Sequence, residues 1–247
     1  MNPPNASQTI TPAPAHRLGY YTALLAAVLT LGTFVLAFLT PPLSGPGCQE
    51  GCFTYPYSDI AARFPRDYLW MAPAIIISFI FLVLVVCIHQ AAPLQKQVFS
   101  HLAVLFASIS ATVLIIDYFV QLTVIQPSLL NGETDGIALL TQFNPHGLFI
   151  ALEEIGFMLM SVAFLCLAPA FAGRNRLEAA LHWLFGLAFV LTILALVFVS
   201  LQMGVRREYI FEIIAISINW TTLIVAGILL SVYFRRALRM PVRGIAS

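Results

Sequence analysis

Four acidic side chains stand inside stretches that are otherwise apolar: Asp117, the adjacent pair Glu153-Glu154, and Glu212. An ionisable group in hydrocarbon costs roughly 2.5–3.5 kcal/mol on insertion scales, so each is by default a candidate for a functional site. Carboxyl groups can hold protons or cations, and two of them in different environments can serve as acid and base. Ser110, Asp117 and Gln121 are spaced by seven and four, which sets them on one stripe of a helix. Glu208, Glu212 and Asn219 form a second stripe on another helix, His146 lies seven before Glu153, and Ser161 lies seven after Glu154. Neighbours on a helix are about 100° apart, so the two adjacent glutamates cannot face one spot. One is expected to face the site and the other a neighbouring helix or the interface.

No lysine or arginine shares this layer; the nearest are Arg63, Arg66, Arg206 and Arg207 at its outer edge. Three buried carboxylates without a cation cannot all stay ionised. At least one therefore keeps its proton, or an external cation is captured, or an arginine folds inward from a loop. The candidate ligand- or proton-binding set is Asp117, Gln121, His146, Glu153, Glu154, Glu212 and Asn219. No metal site and no cofactor is expected. His89, His101 and His182 sit near helix ends, too far apart in the sequence for a metal triad, and there is no phosphate-binding glycine loop or HExxH motif. The single lysine, Lys96, is in a loop, which excludes a retinal-type Schiff base within the bundle.

These residues must be carried by helices that cross a membrane. Of the 247 residues, 60% are hydrophobic and only 9% charged, with a mean hydropathy of +0.91. A water-facing surface needs far more charge than this, whereas a lipid-facing one does not. The net charge of +1 argues against nucleic acid as a partner; membrane lipids are the partners expected. A span needs about 20 apolar residues, and six segments qualify, at about 18–38, 68–88, 102–125, 148–171, 183–203 and 209–234. Runs such as Leu82-Val83-Leu84-Val85-Val86 do not alternate, as a barrel would require. The fold class is all-α, a polytopic six-helix transmembrane bundle over residues 17–236. Residues 1–16 read as a mobile tail rather than a signal peptide, so the first helix is expected to remain as an anchor. Residues 237–247 read as a basic tail.

Arginine and lysine orient the bundle. One side collects Arg17, Lys96, Arg174, Arg176, Arg235, Arg236, Arg239 and Arg243, eight in all, against four on the other, Arg63, Arg66, Arg206 and Arg207. Both termini are thus expected on the cytoplasmic side of a plasma or bacterial inner membrane. The C-terminal arginines serve first as a topology signal and can also meet anionic lipid. By the ~1.5 Å rise per residue, Asp117, Glu153, Glu154, Glu212 and Asn219 all fall in the outer half of the bilayer.

Two outer loops, about 39–67 and 126–147, are long. The first holds Cys48 and Cys52, for which a structural disulfide is the preferred reading, ahead of free thiols or a redox-active pair. Cys87 and Cys166 read as inert packing residues. In the second, Ile137 to Phe143 could form a short helix on the membrane surface. Asn144-Pro145 resembles an N-cap followed by a proline at the first helical position. Gly147 and Gly156 read as points of close helix contact.

Three functional classes follow, in this order. The first is a non-enzymatic membrane protein with an outward-facing acidic cavity for a small cationic or lipid-like ligand, or for protons. The second is an intramembrane enzyme acting on lipid, with Asp117 and one of the paired glutamates as acid and base. The third is a structural or assembly subunit whose carboxyls only bridge helices. All of them depend on the third, fourth and sixth spans being neighbours.

Overall fold

The computed structural model describes residues 13–40, 43–45, 48–173 and 175–239. Eight α-helices are present among them, and no strand. They are α1 (Ala13–Phe38), α2 (Met71–Ala91), α3 (Gln97–Val120), α4 (Gln126–Leu130), α5 (Ile137–Leu140), α6 (Leu148–Leu167), α7 (Arg176–Met203) and α8 (Ile210–Arg239). A π-helical segment, Gln121–Ile125, joins α3 to α4 without a break, so six helical stretches are long and apolar enough to cross a membrane. The chain is a multi-pass integral membrane protein. Six crossings bring both ends of the bundle to one side, here called the terminal end; the opposite side carries the cysteine loop and is called the disulfide end.

Several helices outrun the apolar windows that announce them. Residues 13–16, expected in a tail, already belong to α1; residues 1–12 of that tail and 240–247 of the C-terminal one lie outside the described residues. α7 starts seven residues before the expected Trp183, because Asn175 Oδ1 accepts from the backbone N–H groups of Leu177 and Glu178 at 3.0 and 3.1 Å. Such a cap satisfies amides at a helix start whatever the hydropathy there. Hydropathy reports the hydrocarbon layer alone, whereas helices continue through the headgroup region.

Helix order in space follows from close contacts. α1 lies against α8, where a Cβ on Gly227 would come within 2.6 Å of the Ala23 carbonyl oxygen. α3 lies against α6, where a Cβ on Gly156 would meet Leu114 at 2.5 Å, and Ser110 Oγ donates to the Gly156 carbonyl at 2.8 Å. α6 also packs on α8. The three carboxylate-bearing spans are therefore adjacent.

The disulfide end is covered by packed loops. Cys48 and Cys52 are joined, with Cα atoms 5.8 Å apart, and Phe53 N–H donates to the Leu43 carbonyl. Phe53 sets its ring edge against Phe143, 5.4 Å between centroids. Arg63 Nε pairs with buried Asp67 at 2.7 Å. The short helix expected within Ile137 to Phe143 forms over Ile137–Leu140, with Ile137 and Phe143 turned into the protein and Leu139 exposed. Gln121 explains why, since its Nε2 donates to the Leu140 carbonyl at 2.6 Å and its Oε1 accepts from Gln142 N–H at 3.0 Å. Asn144 is not a helix cap. Its Oδ1 accepts from His146 N–H and its Nδ2 donates to the Ala138 carbonyl, a turn of its own, and α6 begins after Gly147.

Candidate functional site

Asp117 and Tyr118 on α3, Glu153 on α6 and Glu212 in the first turn of α8 converge in the half of the bundle nearest the disulfide end. All four are buried, the carboxyls exposed by 1 to 7%. Tyr118 Oη donates to Glu153 Oε1 at 2.7 Å. Glu153 and Glu212 lie within hydrogen-bonding contact of each other. Two buried carboxyls set against each other repel when both are ionised, and one shared proton removes the repulsion. Asp117 interacts electrostatically with Glu153 and Glu212. Asp117 Oδ2 and Glu153 Oε2 are buried and accept no hydrogen bond among the described residues.

The adjacent glutamates separate as helical geometry requires. Glu153 turns to the centre, whereas Glu154 turns toward Arg207 of the α7–α8 connection and forms an ion pair with its Nη2. Arg207 also stands over the Phe211 ring, 5.7 Å from its centroid. Of the four arginines near the layer, Arg207 pairs with Glu154 and Arg63 with Asp67, so that no ion pair among the described residues reaches Glu153 or Glu212.

Aromatic rings wall the cluster toward the bundle axis. Trp70 sits edge-on to Tyr118 at 5.3 Å, and Trp220 meets Trp70, Phe157 and Phe34 at 6.5, 6.2 and 5.7 Å. Apolar walls exclude water and strengthen electrostatic interactions inside. Beyond them, the half of the bundle nearest the termini closes on Phe81, Leu84, Phe164, Phe185, Leu223 and Leu230 around a small apolar hollow. Buried hydroxyls elsewhere in the bundle, Ser78, Ser161 and Ser231, are spent on carbonyls of their own helices.

Not every candidate joins the cluster. Gln121 is buried beside it but is committed to the loop backbone at Leu140 and Gln142. Asn219 is fully buried and donates to the Ala215 carbonyl one turn back, with its Oδ1 accepting nothing among the described residues. His146 is exposed and precedes the start of α6, so the seven-residue spacing to Glu153 has no helix beneath it. Glu208 likewise precedes α8 and has a left-handed backbone, φ 45°, so it does not extend the Glu212 stripe. Among the described residues no group of three or more His, Cys, Asp or Glu is arranged to hold a metal ion.

Tyr118 and Trp220 escaped the sequence reading, and Trp70 reads there as an aromatic anchor at the interface. The available signal was that a tyrosine or tryptophan deep in a span needs a partner for its polar atom. No family model, no curated protein and no solved structure matches the chain.

Proposed function

We propose that this multi-pass membrane protein binds protons, and that its Glu153–Glu212 pair, flanked by Asp117 and Tyr118, takes up and releases one. The observation that carries the reading is the carboxyl–carboxyl contact in a layer where Arg207 is already paired with Glu154. A cation ligand would need carboxylates spread around a void, and these are buried against one another. A proton fits, because it is the one cation that two touching carboxyls can share.

Sidedness follows from the distribution of polar atoms. The ion pair Arg207–Glu154 connects the cluster toward the disulfide end, where the Arg207 side chain is 33% exposed. Toward the termini the next layer of described residues is the apolar one of Phe81, Leu84, Phe164 and Leu223. The proton is therefore exchanged with the disulfide side, the extracytoplasmic one if the arginine distribution orients the chain.

The test is infrared difference spectroscopy of the protein in nanodiscs as the pH is stepped across the physiological range. A protonated-carboxyl band that titrates in the wild type and is lost in both Glu153→Gln and Glu212→Gln supports the reading. A spectrum that does not respond to pH means the carboxyls are fixed helix-to-helix bonds, and the structural reading takes its place.

A further inference from the structure

Four buried polar atoms outside the carboxyl cluster stand together under the loops of the disulfide end. Gln126 opens α4 and is 3% exposed, yet neither its Nε2 nor its Oε1 meets a hydrogen-bond partner among the described residues. The same holds for Tyr68 Oη and Asp67 Oδ1, in residues 2% and 1% exposed. Gln126, Gln142 and Asp67 all lie close enough to act on the Tyr68 phenol, but none is aligned to bond it. Arg63 takes Asp67 Oδ2 at 2.7 Å, whereas Arg66 stands 3.8 Å from Oδ1, beyond hydrogen-bonding reach.

Local structure explains why these groups meet. In a regular α-helix residue i+5 stands about 140° round from residue i, so Gln126 would turn away from Gln121. The π-helical segment Gln121–Ile125 lies between them, and its i→i+5 bonds bring residue i+5 back close to the direction of residue i. Both glutamines are therefore buried. Gln121 spends its amide on the loop backbone at Leu140 and Gln142. That clamp holds Gln142 beside Tyr68, with its Nε2 donating to the Asp67 carbonyl at 3.4 Å. Phe143 and Phe64 pack on the Tyr68 ring, 6.2 and 5.7 Å between centroids.

The unpaired set consists of an amide N–H and a phenol that donate, and an amide oxygen and a carboxylate oxygen that accept. A water molecule is their complement, since it both donates and accepts. Buried polar groups are paired with protein or with ordered water, and an internal water bonds two to four of them. We infer that Tyr68, Gln126 and Asp67 form a site for internal water, held beneath the loop that Gln121 clamps. The site lies apart from the Glu153–Glu212 pair and stands or falls independently of the proton reading.

X-ray radiolytic footprinting of the full chain in nanodiscs tests it, because radicals formed from a bound water oxidise the side chain beside it where bulk solvent does not reach. Tyr68 should be oxidised at a rate near that of exposed Tyr55, while Phe164, as deeply buried in the apolar half, stays unmodified. Gln126→Leu removes two of the four polar atoms and should lose most of the label on Tyr68. Tyr68→Phe keeps the ring as reporter without its hydroxyl and should lower the label at position 68 in the same way. The label on Tyr55 and the thermal midpoint show whether each variant is folded. The site is refuted if Tyr68 is as protected as Phe164, which would mean that the four atoms bond one another directly. It is equally refuted if both variants keep the wild-type label, since water would then arrive by opening of the loop rather than be held by these groups.

Discussion

At the scale of single residues, partner assignments make sharp expectations. Tyr118→Phe removes the one donor that reaches Glu153 Oε1 and leaves a buried carboxyl oxygen bare. Loss of a hydrogen bond to such a group costs about 1.5–3 kcal/mol, to be read as a lowered thermal midpoint in detergent. An unchanged midpoint would show that the bond contributes nothing. Arg207→Gln strands Glu154 and should cost about 1–2 kcal/mol, less than a fully buried pair because the arginine keeps a third of its side chain in solvent. The double variant Glu154→Gln/Arg207→Gln should recover part of that loss, and strict additivity would deny the pair. That a loop arginine would fold inward was one of three outcomes open from the sequence. Which arginine, and onto which glutamate, depended on two positions 53 residues apart in the chain.

At the scale of elements, close approach and side-chain-to-backbone bonds decide which helix lies where. Gly227→Ala sets a methyl group where the Ala23 carbonyl already stands, 2.6 Å away, and backbone cannot swing aside as a side chain can. Overpacking of this kind costs about 1–3 kcal/mol; a stability equal to wild type would show that α1 and α8 are free to part. Gln121→Leu should release the segment at Leu140 and Gln142 and raise the rate of limited proteolysis around Gly132, with the bundle still folded. Gln121 opens the five-residue π-helical segment that ends at Ile125, and Pro127 follows it. Proline lacks the N–H that a regular ladder needs, and the wider turn accommodates the mismatch. The sequence marks Gln121 as one of a polar stripe. Its actual task, clamping a loop onto the bundle, was hidden because both of its acceptor and donor partners are main-chain atoms, which carry no sequence signature.

At the scale of the whole molecule, the distribution of charge makes the orientation testable. With cysteine introduced at the exposed positions Glu133 and Gln95, a membrane-impermeant maleimide applied to intact cells should label Glu133→Cys and spare Gln95→Cys. The reverse pattern would place the termini outside and would move the proton exchange proposed for the carboxyl cluster to the cytoplasmic face. The described carboxyl cluster lies in the half of the bundle near the disulfide end, and the half near the termini closes on an apolar hollow. Such a division suits a site that answers to one compartment, whereas conduction across the membrane would need polar groups along the whole path.

The sequence by itself determined that the chain is helical and crosses a membrane six times, because in hydrocarbon every backbone amide must be satisfied within its own helix and long apolar runs admit no other solution. It also singled out Asp117, Glu153, Glu154 and Glu212, since charge in such runs is costly enough to be conspicuous. Only the tertiary structure decided that α6 packs on both α3 and α8, that Glu153 meets Glu212 while Glu154 meets Arg207, and that His146 stands apart. Between helices in lipid no hydrophobic gradient selects neighbours; small residues such as Gly156 and Gly227 and single polar contacts do. Those contacts join residues far apart in the chain, where periodicity along one helix has nothing to say about the face opposite.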